Sequence, residues 1–295
     1  MNSTRTTIGI WLALVPALSV VGLLVGASIV YGVAQSLGSL AIRPESHLSL
    51  DAYRDLVTGA TPAVREFWPA LGFSLWVSLA STSLATLGAL LVAVALSNRR
   101  RPAGGAMMFL LHLNLALPHL VWAVALGLLL SQSGLLARLA VAVGLINGPV
   151  DFPVLVRDRY GLGIIVHYVS KEIPFLVLIV LAVLRTQGAA YDLIAENLGA
   201  GYWQRVRYVT LPLVLPALLA GSALVFAFIF ASYEVPALLG VRYPRMLAVL
   251  ALEFFVNPDL NRRATGMAIS LVISLMTLSV IGVIAAWQRT VGAPS

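Results

Sequence analysis

Residues 212–232 read PLVLPALLAGSALVFAFIFAS, a stretch that contains no charged side chain. Because a helix needs about 20 apolar residues to cross the hydrocarbon core of a bilayer, this stretch is long enough for one membrane span. Other apolar runs along the chain predict further spans at 8–34, 70–97, 106–130, 161–184 and 264–287. The sequence therefore predicts an all-α integral membrane protein with about six spanning helices.

The composition supports a membrane protein and excludes several other classes. The 295 residues are 60% hydrophobic and 11% charged, whereas a soluble domain is usually about 25% charged. The absence of cysteine excludes disulfides, thiolate metal sites and cysteine nucleophiles. The net charge of +7 comes from arginines that lie between the apolar runs, which indicates membrane orientation and no nucleic-acid surface.

Basic residues next to the spans predict the orientation of the chain. The three arginines at 99–101 form the densest basic turn, so the positive-inside rule predicts that both termini are cytoplasmic, N-in and C-in. Residues 1–69 would hold a retained first span, too long for a signal-peptide core, and an external loop. Residues 70–290 would form a core of five spans with a cytoplasmic loop at 186–210.

The other segments between the spans are expected to be mainly loops, at 35–69, 131–160 and 233–263. Within the second of these, residues 135–145 are apolar enough for a short interfacial helix, and within the third, residues 246–256 are partly apolar.

The segment just before the quoted span has a different character. Residues 185–212 read RTQGAAYDLIAENLGAGYWQRVRYVTLP. Good helix formers precede Gly199, and a polar amphipathic stretch follows Gly201, which predicts two short helices around a glycine turn. Pro212 is expected in the first turn of the following span.

The second short helix is expected to have two different faces. Trp203, Val206 and Val209 recur at three-residue spacing and would lie opposite Arg205 and Arg207. Held at a membrane face, such a segment offers a surface for a cytosolic partner. Its residues equally suit a loop anchored to lipid headgroups, and they leave both interpretations open.

This segment resembles the signature loop of binding-protein-dependent ABC importer permeases, the inner-membrane subunits of type I importers in the MetI-like superfamily. That signature reads Glu-Ala-Ala, three residues, Gly, nine residues, Ile, one residue, Leu-Pro. Here Gly199 matches the glycine and Ala195 the second alanine. Val209 stands at the isoleucine position, and Leu211-Pro212 closes the motif.

The match departs from the signature at its start. Leu193 stands where the glutamate is expected and Ile194 where the first alanine is expected. Asp192 and Glu196 flank this gap and share a helix face, because they are four residues apart. Either acid could take over the contact of the missing glutamate with the ATPase.

The resemblance implies a permease subunit of an ATP-driven importer in the bacterial cytoplasmic (inner) membrane. It implies half of a substrate translocation pore, completed by a second permease subunit in a heterodimer. The expected partners are a pair of cytosolic ABC ATPases and an extracytoplasmic substrate-binding protein. The residues that the resemblance assigns to ATPase coupling are Asp192, Ala195, Glu196, Gly199, Ala200, Val209, Leu211 and Pro212.

No ATP-binding motif is present in this chain. A P-loop requires Gly-Lys-Ser/Thr, and the single lysine, Lys171, lies between Ser170 and Glu172. The chain is therefore expected to be a transport subunit without enzymatic activity and without a cofactor. ATP and Mg²⁺ would belong to the partner ATPase.

Charged residues within the predicted spans are candidates for a pore or gate, because charges in a bilayer face the protein interior. His167, Lys171 and Glu172 lie in the fourth span just before Pro174. They would form either a pore-lining cluster or an interhelical salt bridge that fixes the bundle. In the third span, His112 and His119 lack a third ligand for a metal site, which favours hydrogen bonding between helices.

Glu234 follows the fifth span in the stretch Tyr233-Glu234-Val235-Pro236. This stretch resembles the permease subgroup that carries polyamines, ferric iron or thiamine. Glu234 would face a cationic substrate or begin a loop at the pore mouth. A polyamine is the first expectation for the substrate, ahead of iron(III) and thiamine.

Two other functions are compatible with the spans. An ion-coupled secondary transporter would explain the buried charges but not the pattern from Gly199 to Pro212. An intramembrane enzyme could use the span histidines or Glu172, but no catalytic motif accompanies them.

Overall fold

The computed structural model describes residues 3–38, 48–59, 64–96 and 105–291. Within these ranges the secondary structure is helical and no β-strand occurs. The α-helices are α1 Ser3–Ser36, α2 Asp51–Thr58, α3 Phe67–Leu96, α4 Gly105–Ala116, α5 His119–Leu130, α6 Leu135–Ala142, α7 Leu162–Val183, α8 Ala189–Asn197, α9 Tyr202–Arg205, α10 Leu211–Ala231, α11 Glu234–Leu239, α12 Leu247–Phe255 and α13 Arg262–Val291. Two 3-10 turns, Val64–Glu66 and Pro149–Asp151, and two π-helical turns, Leu184–Gly188 and Val206–Thr210, also occur.

The predicted number of membrane spans is confirmed. In the part of the chain that the structure describes, 6 helical stretches are long and apolar enough to cross a membrane. They are Leu14–Ser36, Val64–Ala95, His119–Ala142, Leu162–Gly188, Tyr202–Ala231 and Arg262–Gln288. The orientation stays a prediction, because the three arginines at 99–101 lie outside the described residues.

The prediction that residues 106–130 form a single spanning helix was wrong. It is divided into α4 and α5 at Leu117-Pro118. Proline ends a helix because it has no N–H to donate and its ring clashes with the carbonyl four residues earlier. The run is apolar on both sides of the break, so hydropathy alone does not show it.

Pro212 lies in the first turn of α10, as predicted, but the spanning stretch begins earlier than the predicted residue 212. The helix continues from Tyr202 to Ala231, so α9, a π turn and α10 form one rod. In the π turn, the Leu211 N–H bonds to the carbonyl of Val206, five residues back. This wider turn directly precedes Pro212, which cannot donate a hydrogen bond of its own.

Two segments that were expected to be loops contain helices. The stretch 35–69 holds α2 and the start of α3, and the stretch 233–263 holds α11 and α12. The short helix expected at 135–145 is present as α6.

The chain divides into two compact units. Among the described residues, one contains 3–38, 48–59, 64–65 and 251–272, and the other contains 66–96, 105–250 and 273–291. The division predicted from the sequence, at residues 69 and 70, stays a prediction. All of the site described below lies in the second unit.

Helices α3, α7 and α10 form the centre of this second unit, and small residues let them approach closely. A Cβ atom added to Gly88 of α3 would lie 2.7 Å from Ile173 Cδ1 of α7, and one added to Gly221 of α10 would lie 2.7 Å from Ile179 Cδ1. Close packing of small residues is the main attraction between helices in a bilayer. Helix α7 is therefore held from both sides.

Polar side chains also connect the central helices. Thr86 of α3 and Ser222 of α10 share a hydrogen bond of 2.7 Å between their hydroxyl oxygens. The Trp122 indole N–H of α5 donates to the Ser170 hydroxyl of α7, at 2.9 Å. Helix α7 thus occupies a fixed place, and it carries the buried charges of the fourth span and leads into α8.

Candidate functional site

The predicted pair of short helices around Gly199 is confirmed. We call residues 189–205 the α8–α9 hairpin. Gly199 has a φ of +85°, and the N–H groups of Gly199 and Ala200 bond to the carbonyls of Glu196 and Ala195 at 2.9 and 3.0 Å. This pattern is a Schellman motif, which ends a helix with one left-handed residue. Gly199 is therefore required by the backbone conformation, and Ala195 supplies one of the two acceptors.

The second half of the hairpin begins with its own cap. The Gly201 N–H donates to the Gln204 side-chain oxygen at 2.8 Å, and the Arg205 N–H bonds to the Gly201 carbonyl. The first bond satisfies a donor that the start of a helix otherwise leaves free, and the second is the first backbone hydrogen bond of the helix itself. The turn between α8 and α9 is thus closed by backbone and side-chain hydrogen bonds on both sides.

Arg205 joins the two arms of the α8–α9 hairpin. Its guanidinium lies 3.4 Å from the Asp192 carboxylate (Nε to Oδ1) and 2.7 Å from the Glu196 carboxylate (Nη1 to Oε2). The shared face predicted for the two acids is therefore confirmed. The contact of Arg205 with both acids was not predicted, because it depends on α9 folding back along α8.

The tip of the hairpin exposes large apolar side chains. Leu198 is 83% exposed and Trp203 is 77% exposed, and both lie within a few residues of the Gly199 turn. Val209, Leu211 and Pro212, the remaining signature positions after the turn, lie beyond the hairpin in the π turn and in α10.

A π turn connects each arm of the hairpin to a long helix of the second unit. Leu184–Gly188 lies between α7 and α8, and Val206–Thr210 lies between α9 and α10. The two π turns contact each other at the base of the hairpin. The hairpin is consequently a continuation of α7 and α10, without an intervening loop.

The charged residues of the fourth span form a buried cluster on α7. His167 is fully buried, Lys171 is 3% exposed and Glu172 is 6% exposed. The Glu172 carboxylate lies 3.8 Å from Nε2 of His119, and Nδ1 of His119 lies 3.4 Å from Nε2 of His167. His119 lies 48 residues before His167 in the sequence, on a different predicted span, so this contact was not predicted.

Lys171 has backbone partners. Its ammonium group donates to the carbonyl oxygen of Asn114, and to that of Leu117 at 2.6 Å. Both carbonyls belong to the break between α4 and α5. The proposed interhelical salt bridge therefore takes another form, in which the lysine binds the end of a helix and the acid faces a histidine.

The remaining candidates lie apart from this cluster or within their own helix. Glu234 is exposed at the first position of α11. His112 contacts the carbonyl of Met108 in its own helix, at 2.6 Å from Nδ1. Over the described ranges, no three His, Cys, Asp or Glu side chains come together in a way that could hold a metal ion.

The helical fold and the hairpin define a multi-pass inner-membrane protein with the fold of ABC importer permeases. A family model described as "Binding-protein-dependent transport system inner membrane component" matches residues 85–291, and the chain belongs to this family. The match includes the buried cluster and the whole α8–α9 hairpin.

Several curated proteins are similar to this chain. The inner membrane ABC transporter permease protein YnjC of Escherichia coli K12 is 29% identical over 76% of this chain. The molybdenum transport system permease protein ModB of Mycobacterium tuberculosis is 30% identical over 56% of the chain. The thiamine transport system permease protein ThiP of Brucella abortus is 29% identical over 59% of the chain.

The chain spans only part of the length of these relatives. The matches cover 43% of YnjC, 64% of ModB and 31% of ThiP.

Solved structures share the fold over nearly the whole chain. The crystal structure of a bacterial alginate ABC transporter in complex with an alginate pentasaccharide-bound periplasmic protein contains a chain with a TM-score of 0.72 and 15% identity. That likeness covers 95% of this chain and 97% of the other. At this level of identity the likeness establishes the fold.

Proposed function

We propose that this chain is the permease subunit of an ATP-driven ABC importer and that its α8–α9 hairpin docks onto a cytosolic ATPase. The observation that carries the proposal is the exposed apolar tip, Leu198 and Trp203, on a hairpin that continues the two central helices α7 and α10. A large apolar group on a polar segment is typical of a protein contact. Membership of the family and the signature spacing support the same role.

In this proposal the hairpin is a rigid lever. The Schellman turn at Gly199 fixes its tip, and Arg205 ties its arms together through Asp192 and Glu196. We therefore assign these two acids to stiffening the hairpin, in place of the direct ATPase contact that the signature suggested. Closure of the ATPase pair would displace the tip and, through the two π turns, move α7 and α10 as rigid elements.

The expected assembly contains two permease subunits, this chain and a related partner, with a pair of ATPases and an extracytoplasmic binding protein. One hairpin offers one docking site, whereas ATP-driven closure needs two ATPases. ATP and Mg²⁺ would be held by the ATPase partners.

The proposal for the substrate class rests on the stretch around Glu234. A polyamine, ahead of iron(III) or thiamine, remains the expectation from the stretch around Glu234, whose exposed position at the start of α11 suits a group at a pore mouth. The relatives are named for molybdenum and for thiamine, so their names do not select one cargo. In such an importer the binding protein would make the selection.

The proposal is tested by the ATPase activity that copurifies with the tagged full chain from its host membranes. Trp203→Asp places a charge at the hairpin tip and is expected to abolish copurifying ATP hydrolysis. Val150→Asp is the matched control, because Val150 is 86% exposed in the Pro149–Asp151 turn that precedes α7, whereas the hairpin follows α7. Equal ATPase recovery with both variants would contradict docking through the hairpin. A chain that transports in proteoliposomes without any ATPase would instead indicate the secondary transporter.

A further inference from the structure

The break between α4 and α5 leaves backbone groups without their usual partners. In an unbroken helix, the N–H of residue 118 would bond to the carbonyl of Asn114, four residues earlier. Pro118 has no N–H, so this bond cannot form. The Leu117 N–H reaches the same carbonyl only in a tighter turn, at 3.3 Å. Within a bilayer no water replaces a missing partner, and each unsatisfied group is therefore costly.

Lys171 lies where the missing donor would act. Its ammonium group donates to the Asn114 carbonyl, the acceptor that Pro118 deprives of its usual helical partner, and also to the Leu117 carbonyl at 2.6 Å. The lysine comes from a different helix, α7, and it is 3% exposed. A buried ammonium group needs compensation of its own, and these carbonyls provide it.

The neighbouring acid faces the other side of the break. Glu172 lies 3.8 Å from His119, the first residue of α5. The carboxyl end of a helix carries partial negative charge and the amino end partial positive charge. Lysine at the end of α4 and glutamate at the start of α5 are therefore each placed near a helix end of opposite sign.

We propose that Lys171 is a positioning residue that supplies, from α7, a donor in place of the one that Pro118 removes at the break between α4 and α5. It thereby fixes the angle between α4 and α5 and ties the break to the helix that continues into the α8–α9 hairpin. This role differs from a pore-lining charge, because the lysine acts on backbone carbonyls of the same chain and needs no substrate.

The test measures the geometry of the break directly. The chain contains no cysteine, so spin labels at Leu110→Cys in α4 and Leu128→Cys in α5 report one distance in the full-length protein. Both positions are exposed. We expect one narrow distance distribution in the parent protein, its loss in Lys171→Met, and its retention in Lys171→Arg, which keeps a charged donor.

A second substitution separates this role from general destabilisation. Pro118→Ala restores an N–H that can bond to the Asn114 carbonyl, so it is expected to recover the narrow distribution in Lys171→Met. It is expected to recover folded yield too, if Lys171→Met alone fails to fold. An unchanged distribution in Lys171→Met, or no recovery of distribution and yield in the double variant, would overturn the proposal. This readout is independent of transport and of any ATPase.

Discussion

The α8–α9 hairpin and the buried cluster on α7 both combine acids with a base, but they use them differently. In the hairpin, Arg205 pairs with two carboxylates in partial contact with water. In the span, Lys171 binds backbone carbonyls and Glu172 faces a histidine. In contact with water, the charged side chains of the hairpin pair with one another. In the membrane span, backbone groups at a helix end have no water to bind, and the charged lysine side chain binds them instead.

The largest expected effect is the removal of the buried acid. Glu172→Ala removes the carboxylate that faces His119 and the negative charge next to the buried Lys171. Removal of one member of a buried charged group typically costs about 3 kcal/mol or more. Unfolding of the purified chain in mixed detergent micelles measures this change in the free energy of unfolding.

Glu196→Ala is the matched control in the hairpin. Its carboxylate is about half exposed, at 50% of the side chain, and a pair of this kind contributes about 1 kcal/mol or less. Equal losses from the two alanine variants would remove the distinction between the two regions.

Substitution at the Gly199 turn is expected to have a smaller effect on stability and a large effect on the coupling between ATP hydrolysis and transport. Gly199→Val forces a β-branched residue to a φ of +85°, at a cost of about 1–2 kcal/mol. No atom lies within 4 Å of the added Cβ, so the effect comes from the backbone and not from a clash. The expected outcome is normal membrane insertion with loss of substrate-stimulated ATP hydrolysis in the reconstituted complex.

Two controls sharpen this second prediction. Gly199→Asn is expected to be mild, because asparagine tolerates the left-handed region. Gly201→Ala is expected to be nearly silent, since Gly201 has a φ of −69°. Full coupling in Gly199→Val at normal expression would show that the turn does not transmit motion.

The smallest expected effect is that of the hairpin ion pairs. Arg205→Gln releases α9 from Asp192 and Glu196 and should lower the local stability of the hairpin by about 0.5–1 kcal/mol, a difference that shrinks as salt screens the charges. Amide hydrogen exchange at residues 199–205, measured at low and high salt, reports this change. Arg207→Gln is the control, because that guanidinium lies over the ring of Tyr208 at 5.7 Å. The same salt-dependent change in both variants would exclude a specific role for Arg205.

Most of the fold could be predicted because membrane spans are recognised by their apolar composition. The run 212–232 and its counterparts are apolar whatever their tertiary partners, so the number of spans follows from the sequence. The hairpin could also be predicted, because the turn at Gly199 depends on neighbouring residues and Gly199 matches the glycine of the signature. Both features depend on residues close to one another in the chain.

The interior of the site could not be predicted because its contacts are distant in sequence. Lys171 lies 57 residues from Asn114, and no pattern around Lys171 indicates that its partner is a backbone carbonyl. Pro118 was the one available signal, but the run stays mainly apolar on both sides of it, in spite of His112, Asn114 and His119, so hydropathy indicates one span. Arg205 shows the same difficulty on a smaller scale, because its partners depend on how the turn folds.

The paired π turns at the base of the hairpin have a mechanical consequence. A π turn holds one more residue than the α-helical turn that it replaces. A backbone N–H can exchange its bond to the fifth preceding carbonyl for a bond to the fourth. The extra residue then shifts along the helix, and the number of hydrogen bonds stays constant. Each such shift rotates the helical segment on one side of the π turn relative to the segment on the other side. With Leu184–Gly188 and Val206–Thr210 in contact, the base of the hairpin has two adjoining places that can take up a change in helical twist while the hairpin moves α7 and α10 as intact helices.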